Sequence, residues 1–228
     1  MSGGHTGHPT RQHPLLTGRV DEEGDRIRGA SAYWMGAKHV AEVIRTLAVG
    51  LDGRVSRRGE DELDEKELAR IAGAFFTLLT EAFPQMEALT LGQLSSENLR
   101  KTSLLGSVLF VRVLAGVSYE LGTLHAWNQA GVRAFFAKLA PHVSAPAYVG
   151  DIWTTNLAEI YSPGSGSPRS RRQDLTALKN TLVGWAIDRP TFLDTPPTER
   201  PPSPVEEAGP EIRAGEAGFA SAASRVKE

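Results

Sequence analysis

The stretch LLGSVLFVRVLAGV, residues 104–117, constrains the fold of this chain more than any other segment. It carries a single charge, Arg112, and it is shorter than the roughly 20 apolar residues that a helix needs to cross a bilayer. A helix that is apolar nearly all round has to be surrounded by other elements to be stable in water. We therefore expect residues 104–121 to form the central helix of a core, and we expect no membrane span.

Four further segments have the period of amphipathic helices that pack around such a centre. Their apolar residues recur three and four positions apart, which places them on one face of a helix. Asp64 followed by Glu67 has the form of a capping box, and Pro84 helps to end the helix that this box opens. The sequence thus predicts an all-α fold, a single helical domain of about five main helices. The four segments are residues 31–51, 64–83, about 125–139 and about 174–187, whereas the pattern of residues 149–162 predicts neither a helix nor a strand.

Both ends of the chain differ in composition from these helical segments. Seven of the 14 prolines lie between residues 190 and 210, where large apolar side chains become sparse. Such a segment buries too little apolar surface to offset its ordering entropy. We expect a disordered N-terminus over residues 1–12, a helical domain over residues 13–189 and a Pro-rich disordered tail over residues 190–228.

The composition also limits the chemistry of the chain. There is no cysteine, which removes disulfides, thiolate metal sites and thiol catalysis. The formal net charge is −2, so no global positive field draws the protein to nucleic acid, and any affinity for phosphate must be local. The first residues lack the apolar core of a signal peptide. Together these features predict a cytoplasmic protein.

The sequence shows none of the common signatures of catalysis. It has no Walker A loop, no H-E-x-x-H motif and no G-x-S-x-G elbow. His39, His125 and His142 fall on different predicted elements, which disfavours a shared metal site. We therefore expect no enzyme activity, no catalytic residue, no metal and no cofactor.

A basic cluster precedes the last predicted helix. The stretch RSRR contains three arginines in four positions, Arg169, Arg171 and Arg172, behind a Gly/Ser-rich hinge, and Lys179 follows about one and a half turns into the helix. Unpaired N–H groups at a helix start, together with arginine side chains, form a phosphate site. Asp174 would compete for the same N–H groups. A flexible solvated loop explains these residues equally well, and both interpretations stay open.

Two residues elsewhere favour structural roles. Trp153, beside Ile152, is expected in the core with its indole N–H satisfied, and not stacked on a base. Arg112 needs an acidic partner inside the apolar helix. That partner is either Glu120, two turns further on, or an acid from another helix.

The stretch IWTTNLAEIYSPGSGSPRSRRQDLTALKNTL, residues 152–182, resembles the C-terminal region of DndB-like proteins of bacterial DNA sulfur modification (phosphorothioation) systems. There, a segment with tryptophan and asparagine leads to a basic, serine-containing loop and then to a leucine/threonine-lysine helix. Residues 13–50 are similar to the start of the helical half of such proteins, whose D-G-Q-H-R motif is missing from this chain. The matching positions are Trp153, Asn156, Arg169, Ser170, Arg171, Leu175, Thr176 and Lys179.

The resemblance implies a DNA-associated regulatory protein that controls transcription of the modification gene cluster, in the setting of restriction-modification and phage defence. Its partners would be DNA, contacted at the backbone, and other proteins of the modification system. The alternative is a helical scaffold or protein-interaction module without nucleic-acid binding, which would use an apolar groove between its helices. The predicted phosphate ligands are Arg169, Arg171, Arg172 and Lys179, supported by Asn156, Ser170 and Thr176.

Overall fold

The computed structural model describes residues 13–24, 27, 31–53 and 64–197. Within these ranges the chain forms eight α-helices, three short 3-10 turns and one pair of two-residue strands, so the all-α prediction is confirmed. All described residues belong to one compact unit. The helices are α1 (Ala37–Val49), α2 (Glu65–Ala82), α3 (Pro84–Thr90), α4 (Ser96–Thr102), α5 (Val108–Thr123), α6 (Gln129–Leu139), α7 (Ile152–Asn156) and α8 (Arg172–Asp188).

Helix α5 is the predicted central helix. Eight of its 16 residues are buried, and it packs against α1, α6 and α8. The expected continuous helix over 104–121 is divided in two, because the Ser107 side chain accepts a hydrogen bond from the Phe110 N–H and so caps α5. The residues before it, Leu104–Gly106, form a 3-10 turn. No helix of the described part of the chain is long and apolar enough to cross a membrane.

Helices α1 and α2 each begin at a defined local feature. Helix α1 starts at Ala37, later than predicted, because Met35–Gly36 forms a strand that pairs in parallel with Val20–Asp21. Helix α2 begins after Asp64, whose side chain accepts a hydrogen bond from the Lys66 N–H. Glu67, the other half of the predicted capping box, forms a salt bridge with Arg70 at 2.6 Å.

Three short helices have no counterpart in the predicted pattern. Helix α3 begins directly at Pro84, a position where the missing N–H of proline costs nothing. Helix α4 is capped by Ser95, whose hydroxyl accepts a hydrogen bond from the Asn98 N–H. Helix α7, inside the unassigned segment, is capped by Asp151, which accepts a hydrogen bond from the Thr154 N–H at 2.7 Å. Each of these three short helices thus begins at a single residue that favours a helix start.

The packed structure extends past residue 189, where the disordered tail was expected to begin. A 3-10 turn over Thr191–Asp194 follows α8, and Leu193 of this turn is buried in the core. Leu193 and the neighbouring Phe192 supply apolar surface that the surrounding prolines do not. Residues 1–12 and 198–228, for which disorder is also predicted, lie outside the described residues.

Candidate nucleic-acid interface

The basic loop, residues 162–171, leads into α8 and is tied to a neighbouring segment by its backbone. The Ala147 N–H donates to the Ser165 carbonyl, and the Ala147 carbonyl accepts from the Gly164 N–H, both at 2.7 Å. Both main-chain groups of Ala147, its N–H and its carbonyl, are thus hydrogen-bonded to the backbone of the loop. The Gly/Ser-rich hinge is therefore anchored at its centre, and the arginines emerge from a fixed backbone.

Arg169 and Arg171 carry the charge that this loop presents to solvent. Both residues are exposed, and neither guanidinium forms a hydrogen bond or an ion pair with the residues that the structure describes. The Arg169 backbone is held in place, because its N–H donates to the Ile160 carbonyl at 3.0 Å. Unpaired guanidinium groups keep all their donors, and their planar geometry matches the oxygens of a phosphate. These two side chains can thus bind a phosphate without first breaking a protein contact.

The first turn of α8 has no side-chain cap. The Leu175 N–H makes the first regular helical hydrogen bond, to the Arg171 carbonyl at 3.1 Å, and the Asp174 N–H donates to the same carbonyl at 3.0 Å, which accounts for one of the free donors at this end. The Asp174 side chain lies in this turn, and its Oδ2 atom is buried without a hydrogen-bond partner in the described part of the chain. Because the Asp174 carboxylate lies at the positive end of the helix dipole, it offsets the attraction of that dipole for phosphate. The attraction must then come from the arginines.

Arg172 is only partly available for a ligand. Its Nη2 donates to the Asp52 carbonyl at 2.9 Å, and its Nε lies 3.9 Å from the Asp52 carboxylate. The Thr176 hydroxyl donates to the same carboxylate at 2.6 Å. Thr176 was predicted as a supporting phosphate ligand, but its hydroxyl is engaged by Asp52. Since most of the Arg172 side chain is exposed, part of its guanidinium can still contact a phosphate.

Lys179 does not belong to the exposed basic surface. Its ammonium forms a salt bridge with Glu120 of α5 and lies 4.0 Å from the Asp52 carboxylate, and the residue is only 8% exposed. Gly116 of α5 makes room for the lysine stem, whose Cγ lies 3.4 Å from the position that a Cβ would take. The predicted phosphate contact by Lys179 conflicts with this burial, because its charge faces the core helix and is neutralised there.

Asn156 and Ser170, the other supporting residues, are in different situations. The Asn156 side-chain amide donates to the Ile152 carbonyl at 2.9 Å, so it is engaged within α7. Ser170 is exposed between Arg169 and Arg171. Of the predicted supporting residues, Ser170 is the one that shares the surface of the two free arginines.

The core prediction for Trp153 is confirmed. The residue is fully buried, its indole N–H donates to the His142 carbonyl at 2.5 Å, and its ring lies 5.4 Å from that of Tyr161, at the base of the basic loop. Burial, and then the nearby Asp151 carboxylate, raise the pKa of the Tyr161 hydroxyl. Burial lowers the pKa of the His142 imidazole. Burial thus favours the uncharged form of both side chains.

Arg112 finds its acidic partner on another helix. Its guanidinium lies 3.5 Å from the Glu42 carboxylate of α1 and 3.4 Å from the Thr46 hydroxyl. Glu120, the other predicted partner, is taken by Lys179. Among the described residues, no group of three or more His, Cys, Asp or Glu side chains could hold a metal ion.

No protein-family model matches this chain, and neither a curated protein nor a solved structure shows a significant match.

Proposed function

We propose that this protein binds DNA through the sugar–phosphate backbone and acts as a DNA-associated regulatory protein of a DNA sulfur modification (phosphorothioation) system. The observation that carries the proposal is a pair of exposed arginines, Arg169 and Arg171, whose guanidinium groups have no partner among the described residues, on a loop with a hydrogen-bonded backbone. The resemblance of residues 152–182 to DndB-like proteins supplies the setting, which is transcriptional control of the modification gene cluster.

Phosphate is the ligand that suits these residues. Two guanidinium groups separated by one exposed serine can contact neighbouring oxygens of a polyanion, and Arg172 adds the free part of its own group. Such contacts fix the position of a protein on DNA but do not distinguish one base sequence from another. A regulator with this site therefore needs base contacts from other residues.

The net charge of −2 bears on how the affinity for DNA should depend on salt concentration. Without a global positive field, attraction comes only from the few phosphates that the arginines neutralise, and each contact releases condensed counterions. The contacts of Arg169 and Arg171 predict a slope of about −2 when the logarithm of the association constant is plotted against the logarithm of salt concentration, and a full contact by Arg172 would bring it to about −3.

The test is a titration of a labelled duplex by fluorescence anisotropy over a series of salt concentrations. The intact protein should bind at low salt, and the Arg169→Gln/Arg171→Gln variant should lose the salt-dependent part of the affinity. The matched control is Arg70→Gln/Arg133→Gln, which removes the same charge from two exposed arginines that pair with Glu67 and Glu81. This control should bind the duplex like the intact protein.

Two outcomes would contradict the proposal. Equal loss in both double variants would mean that net charge, and not this loop, drives the association. Absence of salt-dependent binding by the intact protein would favour the scaffold alternative. The regulatory part has its own test, since a duplex from the region upstream of the chain's own gene should bind more tightly than a scrambled duplex of the same composition.

A further inference from the structure

A cleft of about 300 Å³ opens between α6 and α8, at the end of α8 remote from the basic loop. For a helix of 17 residues the two ends are roughly 25 Å apart, so the cleft is a separate surface. Its volume is at the lower end of the range for small-molecule sites. The walls are mainly apolar and include Trp127, Ala134, Phe135, Trp185 and Leu193.

The four tryptophans of the chain divide into two pairs, and one pair belongs to this cleft. Trp34 and Trp153 are fully buried, and each donates its indole N–H to a backbone carbonyl, at 3.0 and 2.5 Å. Trp127 and Trp185 are partly exposed, and their indole N–H groups donate to no described residue. The cleft therefore has two aromatic walls, and no described residue takes the indole N–H of either.

The rim of the cleft carries two positive charges, of which one is unpaired among the described residues. Lys138 is neutralised by Asp194, 2.6 Å away. Arg189 also lines the cleft, is exposed, and forms no ion pair or side-chain hydrogen bond within the described ranges. A free guanidinium beside an apolar wall suits a ligand with an apolar body and an anionic group.

Unfavourable backbone conformations occur on both sides of the same cleft. Ala126 (φ 54°) and Arg189 (φ 51°) are the two non-glycine residues with positive φ among those described. Ala126 directly precedes Trp127, and Arg189 follows α8 with its N–H donating to the Trp185 carbonyl at 3.0 Å. Non-glycine residues in this conformation are costly and are concentrated at ligand-binding sites. Ala126 leads directly into Trp127, and Arg189 closes α8, a place where the left-handed conformation is common.

From these four features we infer that the cleft is a binding site for a small carboxylate with an aromatic body. The ring packs between Trp127, Trp185 and Phe135, and the carboxylate accepts hydrogen bonds from Arg189. This site is independent of the basic loop and of DNA binding.

The test uses isotope-labelled full-length protein and two probes of nearly the same shape, naphthoate and its neutral amide. The nuclear magnetic resonance signals of the four indole N–H groups report on the site, and Trp127→Phe and Trp185→Phe assign the cleft pair. Naphthoate should shift the signals of Trp127 and Trp185 and leave that of Trp34 in place, and the signal of Trp153 is not used as a reference because its ring lies 6.0 Å from that of Trp185. The amide should bind about tenfold more weakly, because it lacks the charge-assisted contact.

Two substitutions separate the cation from the walls. Arg189→Asn removes the charge with a residue that tolerates positive φ, and it should weaken naphthoate binding about tenfold without changing binding of the amide. Ala134→Phe fills the cleft from an exposed position of α6 and should abolish binding of both probes. Ala137→Phe, at an exposed position of the same helix that does not line the cleft, is its control.

The inference is overturned if naphthoate leaves the two cleft indoles unshifted, if all four indoles shift alike, or if Arg189→Asn binds naphthoate as well as the intact protein does. Neither Arg189→Asn nor Ala134→Phe should alter duplex binding, and Arg169→Gln/Arg171→Gln should not alter naphthoate binding. Failure of one site is thus distinguishable from failure of the other.

Discussion

The basic residues near the start of α8 form two groups with opposite environments, although they are close in sequence. Lys179 is nearly buried, and its ammonium is held by Glu120 and Asp52. Arg169 and Arg171 are exposed, and their guanidinium groups have no partner among the described residues. The face of the helix or loop that a cation occupies, and not its position along the chain, therefore decides whether it stabilises the fold or is available to a ligand.

The largest effect should come from the buried group. Lys179→Met is expected to lower the free energy of unfolding by about 2–3 kcal/mol, because Glu120 would stay largely buried without its partner. We place the cost below that of a fully buried pair, since the two side chains are 10% and 20% exposed. Urea denaturation measures it. The folded variant should keep its affinity for duplex DNA.

Lys101→Met is the matched control for this prediction. It removes a lysine whose salt bridge with Glu97 is on the surface, with side chains 65% and 40% exposed, and should cost less than about 0.5 kcal/mol. Equal stability of the two variants, or loss of duplex binding by folded Lys179→Met, would remove the distinction between the two groups.

A smaller effect is expected for Asp52, which contacts Arg172, Thr176 and Lys179. Asp52→Asn should destabilise the protein by about 1 kcal/mol, since the carboxylate is partly exposed and its contacts are only weakened. It should also remove the charge attraction on Arg172, whose Nη2 keeps its hydrogen bond to the backbone carbonyl of residue 52, and tighten duplex binding by about twofold at most. Parallel urea and anisotropy titrations measure both changes.

Asp188→Asn makes the same change of charge at the far end of α8 and should leave the duplex affinity as it is. If Asp52→Asn weakens duplex binding, Arg172 contacts DNA only in the position that Asp52 gives it.

The long helices could be predicted because their sequence patterns extend over many consecutive residues and do not depend on distant parts of the chain. The apolar stretch that becomes α5 permits few environments other than a core, and Asp64 and Pro84 mark the two ends of α2. Helices α3, α4 and α7 are too short for a hydrophobic period to be recognised, and they are defined by single caps. The division before α5 likewise depends on one hydroxyl, that of Ser107.

The same limit of sequence-based prediction applies to single residues of the candidate phosphate site. Exposure of Arg169 and Arg171 follows from their place in a Gly/Ser-rich loop, whereas the burial of Lys179 depends on the packing of α8 on α5. A signal for that burial is present in the sequence, because Lys179 lies four residues after Leu175 and three before Leu182, in the middle of the apolar face. Its partners could not be found that way, since Asp52 and Glu120 come from distant segments.

The smallest effect on stability is expected for Arg169→Gln/Arg171→Gln. Neither guanidinium contacts a described residue, so the free energy of unfolding should stay within about 0.5 kcal/mol of the intact protein. Urea denaturation of this variant, beside that of Lys179→Met, completes the comparison. One variant should lose stability and keep duplex binding, and the other should keep its stability and lose the binding. A loss above about 1 kcal/mol in the arginine variant would show that these side chains hold the loop in place, because a surface substitution that breaks no contact costs less than that. Their exposure would then be a by-product of loop structure, and the reason for assigning them to phosphate would be gone.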